Sequence, residues 1–188
     1  MRRAALAILA CAMTALAPTF AAGWDVGALM ALLRANPAGR AHFVETKEIT
    51  SLLDRPLESS GELTFTPPDR LEKHVTSPGD ERLVADRERL VIEQGGRRQE
   101  LLLADYPQVA VLIESIRATL AGDRAALERT YTLQLSGDAP AWRLVLKPRD
   151  AAAAKLVTRV TIEGSQARVQ RVAVEQADGD RSLMRIIP

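Results

Sequence analysis

Few residues in this 188-residue chain have the chemistry for catalysis: the only histidines, His42 and His74, and the strand-like carboxylates Glu45, Glu48, Glu62 and Glu72. His42 with Glu45 offers two metal ligands, but on a strand their odd spacing aims them at opposite faces, and both histidines read as residues of a solvated face. Glu45 with Glu48, or Glu62 with Glu72, offers an acid–base pair. Outward-facing strand charges are the commoner reading of all four. Asp178-Gly179-Asp180 opens like a calcium loop but lacks the later ligands and the closing glutamate, so it reads as a hairpin turn. The chain has no Gly-x-Ser-x-Gly nucleophile turn, no Gly-x-x-x-x-Gly-Lys phosphate loop and no His-Glu-x-x-His zinc motif. The expectation is a protein that is no enzyme and carries neither metal nor cofactor.

The address is written in the first residues. Arg2 and Arg3 precede an apolar run from Ala4 to Ala17, then Pro18 and small residues, which is the pattern of a secretory signal peptide. Thr19-Phe20-Ala21 places cleavage after Ala21, with cleavage after Gly23 as the alternative, and the domain is expected to occupy residues 22–188. The run is shorter than the roughly 20 residues a spanning helix needs. Cys11 lies inside it with almost no hydrophobic stretch before it, so it reads as part of the leader rather than a lipidation site. The mature chain then has no cysteine. Loss of Arg2 and Arg3 leaves 23 basic against 24 acidic residues, a net charge near −1 that argues against a nucleic-acid partner. About 167 residues remain, enough for one domain with a core.

The elements are short and mostly extended. Asp25 can cap a helix whose apolar positions are Val26, Leu29, Met30 and Leu33, and Asn36-Pro37 stops it. His42 to Ile49 reads as a strand. In Gly61 to Phe65, Leu63 and Phe65 alternate with Glu62 and Thr64, Pro67-Pro68 breaks the ladder, and Leu71, Lys73 and Val75 alternate on a return strand. Ser77-Pro78-Gly79-Asp80 marks a turn, and a meander follows through Glu81–Ala85, Arg89–Glu93 and Arg97–Leu103. The period then switches. Asp105 can cap, Pro107 fits the first turn, and Val109, Leu112, Ile113, Ile116 and Leu120 form one helical stripe ended by Gly122. Asp123 caps a shorter helix with Leu127. Strands resume at Tyr131, Leu133 and Leu135, then Trp142, Leu144 and Leu146; a helical turn fits the alanines 151–154. Leu156–Glu163, Arg168–Gln176 and Arg181–Ile187 complete about ten short strands in one antiparallel sheet, a size at which twist curls it strongly.

Such a sheet carries surplus apolar surface. A closed barrel or sandwich would use that surface as core. Scarce aromatics, with Ala110 and Ala118 interrupting the helical stripe, point instead to room beneath the helix. Neither feature decides alone.

The order of motifs resembles the periplasmic lipoprotein carriers of the LolA-like family across nearly the whole mature chain. The resembling segments are Phe43-Val44-Glu45, Ser60-Gly61-Glu62-Leu63 leading into Pro67-Pro68-Asp69-Arg70-Leu71-Glu72, Leu146-Lys147-Pro148, and Asp178-Gly179-Asp180 with Met184 and Ile186. Asp86-Arg87-Glu88-Arg89-Leu90-Val91-Ile92 departs from the family's aromatic-rich strand, as in a divergent subgroup. Arg40 and Arg55 are the candidates for the family's lid-latching arginine. The resemblance implies an α+β fold: a strongly curved antiparallel sheet forming an incomplete barrel, covered by short lid helices. It implies a monomeric periplasmic carrier whose cargo is an acylated lipoprotein or other lipid, with inner-membrane donor and outer-membrane acceptor proteins as partners. The cavity wall would be Phe43, Leu63, Phe65, Leu71, Leu101, Leu103, Leu133, Leu135, Trp142, Leu144 and Leu146, and the lid Leu112, Ile113 and Ile116. The alternative is a sensor or adaptor of the same shape that binds lipid or an unfolded outer-membrane protein to regulate a partner. The absence of an anchor or second domain up to Pro188 favours the diffusible carrier.

Overall fold

The computed structural model describes residues 23–35, 39–50 and 55–187; the expected leader, Met1 to Ala21, and the Asn36-Pro37 helix stop lie outside them. In chain order the described elements are α1 (Val26–Arg34), β1 (Gly39–Glu48), β2 (Leu57–Thr66), β3 (Arg70–Ser77), β4 (Glu81–Asp86), β5 (Arg89–Gln94) and β6 (Arg97–Leu102). A 3-10 turn (Leu103–Asp105) leads to α2 (Pro107–Leu120) and α3 (Arg124–Thr130). Then come β7 (Tyr131–Asp138), β8 (Ala141–Pro148), α4 (Ala151–Ala154), β9 (Val157–Ser165), β10 (Arg168–Gln176) and β11 (Arg181–Ile187).

All eleven strands form one sheet in the order β6-β5-β4-β3-β2-β1-β11-β10-β9-β8-β7. Each neighbouring pair is antiparallel, and β6 and β7 remain as edges, so the barrel is incomplete. The fold is α+β, as the sequence pattern and the resemblance imply. The first and last strands meet at the centre, where Phe43 lies opposite Ile186 and Glu45 opposite Met184. The two halves are therefore a six-stranded meander, β1 to β6, and a five-stranded one, β7 to β11. The helical segment between them returns across the concave side, because the two strands it connects lie at opposite edges.

Local chemistry explains most boundaries. Asp25 caps α1, its Oδ1 accepting from the Ala28 N–H at 2.8 Å, and Asp123 caps α3 through the Ala126 N–H at 2.9 Å. Asp105 does not cap α2. It falls inside the 3-10 turn, and Tyr106 takes the cap position with Pro107 behind it. The strand expected to run to Leu103 ends at Leu102: the Leu103 N–H still reaches the Glu88 carbonyl at 2.8 Å, but Leu103 opens the 3-10 turn, its carbonyl accepting from the Tyr106 N–H at 3.0 Å. Gly122 ends the helix with φ +64°, and a Cβ there would lie 2.2 Å from the Met30 carbonyl oxygen. That lets α1 dock directly on the α2–α3 corner. Among the described residues no helix is long and apolar enough to cross a membrane.

Candidate functional site

Strand register sorts the side chains into two faces, because residues opposite one another in a ladder share a side. Starting from Phe43, the ladder passes through Gly61 to Val75 on one side and through Ile186 on the other. Leu63 and Phe65 share that face, as do Leu71 and Lys73, opposite Ala85 and Leu83. Leu101 joins it opposite Leu90. At the far end Leu133 lies opposite Leu146, Leu135 opposite Leu144, and Leu144 opposite Ile162. The strand residues expected as wall therefore lie on one face, the concave one that meets the helices. Leu103 reaches the same side from the 3-10 turn, where it is buried.

Packing on this face is uneven. At the β7–β10 end, Trp142, Leu144 and Leu146 are fully buried with Leu29, Met30, Leu33 and Val160 in the principal cluster, and Leu133, Leu135 and Leu112 pack against it. Trp142 lies over Gly164, where a Cβ would approach its ring to 2.3 Å, and its Nε1 donates to the Gln166 carbonyl at 2.9 Å. At the β4–β6 end a smaller cluster holds Ala85, Leu90 and Leu103, with Leu101, Val109, Ala110 and Ile113 against it. Between them lie Phe43, Phe65 and Val75, buried, and Leu63 and Leu71, half-buried; these belong to neither cluster of described residues. Ile116 is half-buried above. The expected room beneath Ala110 and Ala118 is not found at those residues: Ala118 is buried in the principal cluster and Ala110 packs on the smaller one. Their small side chains let α2 approach instead of leaving a gap.

The middle zone also holds an ion pair that alternation did not foretell. Glu45, read as an outward strand charge, is 5% exposed and turned inward beside Phe43. Its Oε2 accepts from the Lys73 ammonium, and Lys47 stands 3.6 Å away. Lys73 reaches across β2: its register partner is Leu63, that of Glu45 is Ser59, and Gly61 between them has no side chain in the way. The Lys73 Nζ lies 4.9 Å from the centre of the Phe43 ring, within cation–π range. Burial pushes the Lys73 pKa down from its ordinary value, with the Glu45 carboxylate opposing the shift.

The convex face is charged and solvated. His42 is exposed there, and the His74 Nε2 lies 2.8 Å from Asp80 Oδ1. Glu72 pairs with Arg82 at 2.7 Å, and Glu163 with Arg143 at 2.6 Å. A surface hollow of about 590 Å³ lined by Glu72, His74, Arg82, Glu93 and Arg98 belongs to this outer side, where its charges pair with one another.

Polar links hold the helices to the sheet and to one another. Tyr131, 1% exposed, donates its hydroxyl to the Val111 carbonyl of α2 at 2.8 Å, and burial pushes its pKa up to about 12. Arg34 of α1 donates to the Gly122 carbonyl at 2.6 Å. Arg117 of α2 donates through Nη1 to the Arg87 carbonyl in the β4–β5 turn at 2.8 Å and to Glu114 at 2.7 Å. Arg40 and Arg55, the expected latch candidates, are both exposed. Arg40 shares the convex face with His42, so it points away from the helices. Arg117 carries a sequence signal that could have found such a link, a charge one turn beyond Ile113 on the apolar stripe.

A family described as outer membrane lipoprotein carrier protein LolA-like matches residues 17–185 of the sequence. The chain belongs to that family. No curated protein matches this LolA-like chain in sequence. Among solved structures it is similar to a LolA superfamily protein from Nitrosomonas europaea, with 11% identity, TM-score 0.48, and coverage of 87% of this chain and 90% of the other. It is also similar to the MucA/MucB complex of Pseudomonas aeruginosa, with 14% identity, TM-score 0.47, and coverage of 87% and 56%. A third is the lipoprotein LppX of Mycobacterium tuberculosis, with 8% identity, TM-score 0.44, and coverage of 85% and 93%.

Proposed function

We propose that this LolA-like domain is an exported, periplasmic carrier that shields the acyl chains of a lipoprotein or related lipid during transfer between membranes. It performs no catalysis. Donor and acceptor proteins at the inner and outer membranes load and unload it. The observation that carries this reading is the middle of the concave face, where Leu63 and Leu71 are half-buried beside Phe43 and Phe65 and belong to neither packed cluster. The family match supports the same reading.

The physics suits reversible loading. Each acyl CH2 removed from water is worth about 0.8 kcal/mol, so hiding on the order of ten gives roughly 8 kcal/mol. Raising α2 gives up its contacts at Val109, Ile113 and Leu112, and cargo contacts replace them. The difference between two sets of aliphatic contacts stays small enough for release. The wall of this site is the β1–β6 half of the expected set: Phe43, Leu63, Phe65, Leu71 and Leu101, with Leu103 at its end and Ile113 and Ile116 above. Trp142, Leu144 and Leu146 serve as its packed foundation.

Native mass spectrometry of protein isolated from periplasm tests this. Wild type is expected to carry lipid or a lipoprotein, and Leu71→Glu is expected to remain folded and arrive depleted. Consistently empty wild type would sink the carrier. Co-purification of an unacylated protein without lipid would support a sensor or adaptor in its place.

A further inference from the structure

Arg117 is 4% exposed, and of its three guanidinium nitrogens only Nη1 has a partner, in Arg87 and Glu114. Nε and Nη2 are buried with no hydrogen-bond partner. These two are not scattered. In a guanidinium the Nε–H and the Nη2 group trans to Cδ lie along one edge and present parallel N–H bonds. That edge fits the two oxygens of a carboxylate or phosphate side by side. Buried polar groups are almost always partnered, and two unpartnered nitrogens on a buried charged residue call for a partner.

Its place in the fold narrows that partner. Arg117 stands one turn beyond Ile113, which packs on Ala85, Leu90 and Leu103, and its Nη1 is fixed to the β4–β5 turn. Arg117 therefore stands at one end of the apolar ground between α2 and the β4–β6 strands. Resting on the carrier reading, we infer that Arg117 is the head-group anchor of that site: its Nε–Nη2 edge binds the oxyanion of an acylated ligand whose chain lies on the concave face. The shared chemistry is a planar or tetrahedral oxyanion, supplied by a fatty carboxylate or by a lipid phosphate. Glu114, 61% exposed, pairs with Nη1 from the solvent side and leaves the Nε–Nη2 edge unengaged. Arg117 is a binding residue with no part in any covalent step.

The test is displacement of an uncharged fluorescent acyl probe by dodecanoate, dodecyl phosphate and dodecanol, chains of equal length that differ in head group. Wild type is expected to bind at least one anion about tenfold or more tighter than dodecanol, a difference of about 1.4 kcal/mol. The tighter of the two anions names the head group. Arg117→Met is expected to lose that preference and keep its dodecanol affinity, a split that a merely structural arginine would not produce. Arg117→Lys, which keeps charge without the fork, is expected to fall between. If Arg117→Met does not fold, the comparison rests on Arg117→Lys. Equal affinity for all three ligands in wild type, or an undiminished anion preference in either variant, overturns the assignment while the carrier reading stands. Failure of every ligand to displace or bind overturns the carrier reading and this one with it.

Discussion

Lys73 and Glu45 show what a single residue costs when it is turned inward. Burial lowers the Lys73 pKa, and Glu45, 5% exposed, has Lys73 as its close partner. Two charges drawn from water recover their desolvation only when both are present. Lys73→Met is therefore expected to lose about 3 kcal/mol by leaving the buried Glu45 with only the exposed Lys47, 3.6 Å away, as a partner. Adding Glu45→Gln is expected to restore most of that loss, because both charges are then gone. Urea unfolding of the two singles and the double completes the cycle; additive losses would show that the pair is not coupled. Alternation set Lys73 on the apolar side with Leu71 and Val75, but nothing local named Glu45 as its partner. Glu45 and Lys73 lie on different strands, and only the intervening Gly61 lets one reach the other.

At the scale of elements, α2 matters most, and Tyr131 is its clearest tether to the sheet. The Tyr131 hydroxyl donates to the Val111 carbonyl, and burial raises its pKa to about 12 from the ordinary 10.0. A folded pKa above the unfolded one means that stability is fully present below pH 10 and is lost as pH rises toward 12. A shift of this size corresponds to a loss on the order of 2–3 kcal/mol. Tyr131→Phe is expected to cost about 1 kcal/mol at neutral pH and to flatten the alkaline limb. Denaturant melts at stepped pH measure both; an alkaline limb unchanged by the substitution would remove Tyr131 as its cause. The helix itself was legible in the sequence from Val109, Leu112, Ile113, Ile116 and Leu120. Its division of labour was not. Leu112 serves one packed cluster and Ile113 the other, because α2 crosses the concave face between the two ends of the sheet.

Across the whole molecule the concave face does two jobs. The β7–β10 end is filled by Trp142, Leu144, Leu146 and the apolar stripe of α1, whereas the β1–β3 ground keeps Leu63 and Leu71 half-buried. Leu144, 0% exposed, then belongs to the foundation. Leu144→Glu would bury a carboxylate with no partner among Leu29, Val160 and Ile162, at a cost of several kcal/mol. It is expected to unfold or severely destabilise the domain, measured by thermal melting, and a folded Leu144→Glu variant would show that this end yields to solvent. Leu71→Glu, already half-exposed, is expected to melt close to wild type.

The sequence by itself determined the strands, the turns between them and which side of each strand is apolar. Those are local properties: alternation has a period of two, and prolines and glycines act where they stand. It also determined that a helix would interrupt the sheet. Only the tertiary structure decided which part of the apolar face is filled. That depends on where α1 and α2 return across the sheet and on a register that brings Lys73 to Glu45 and the Arg87 turn to Arg117. Such meetings join residues far apart in the chain, and no periodicity within a strand or helix records them.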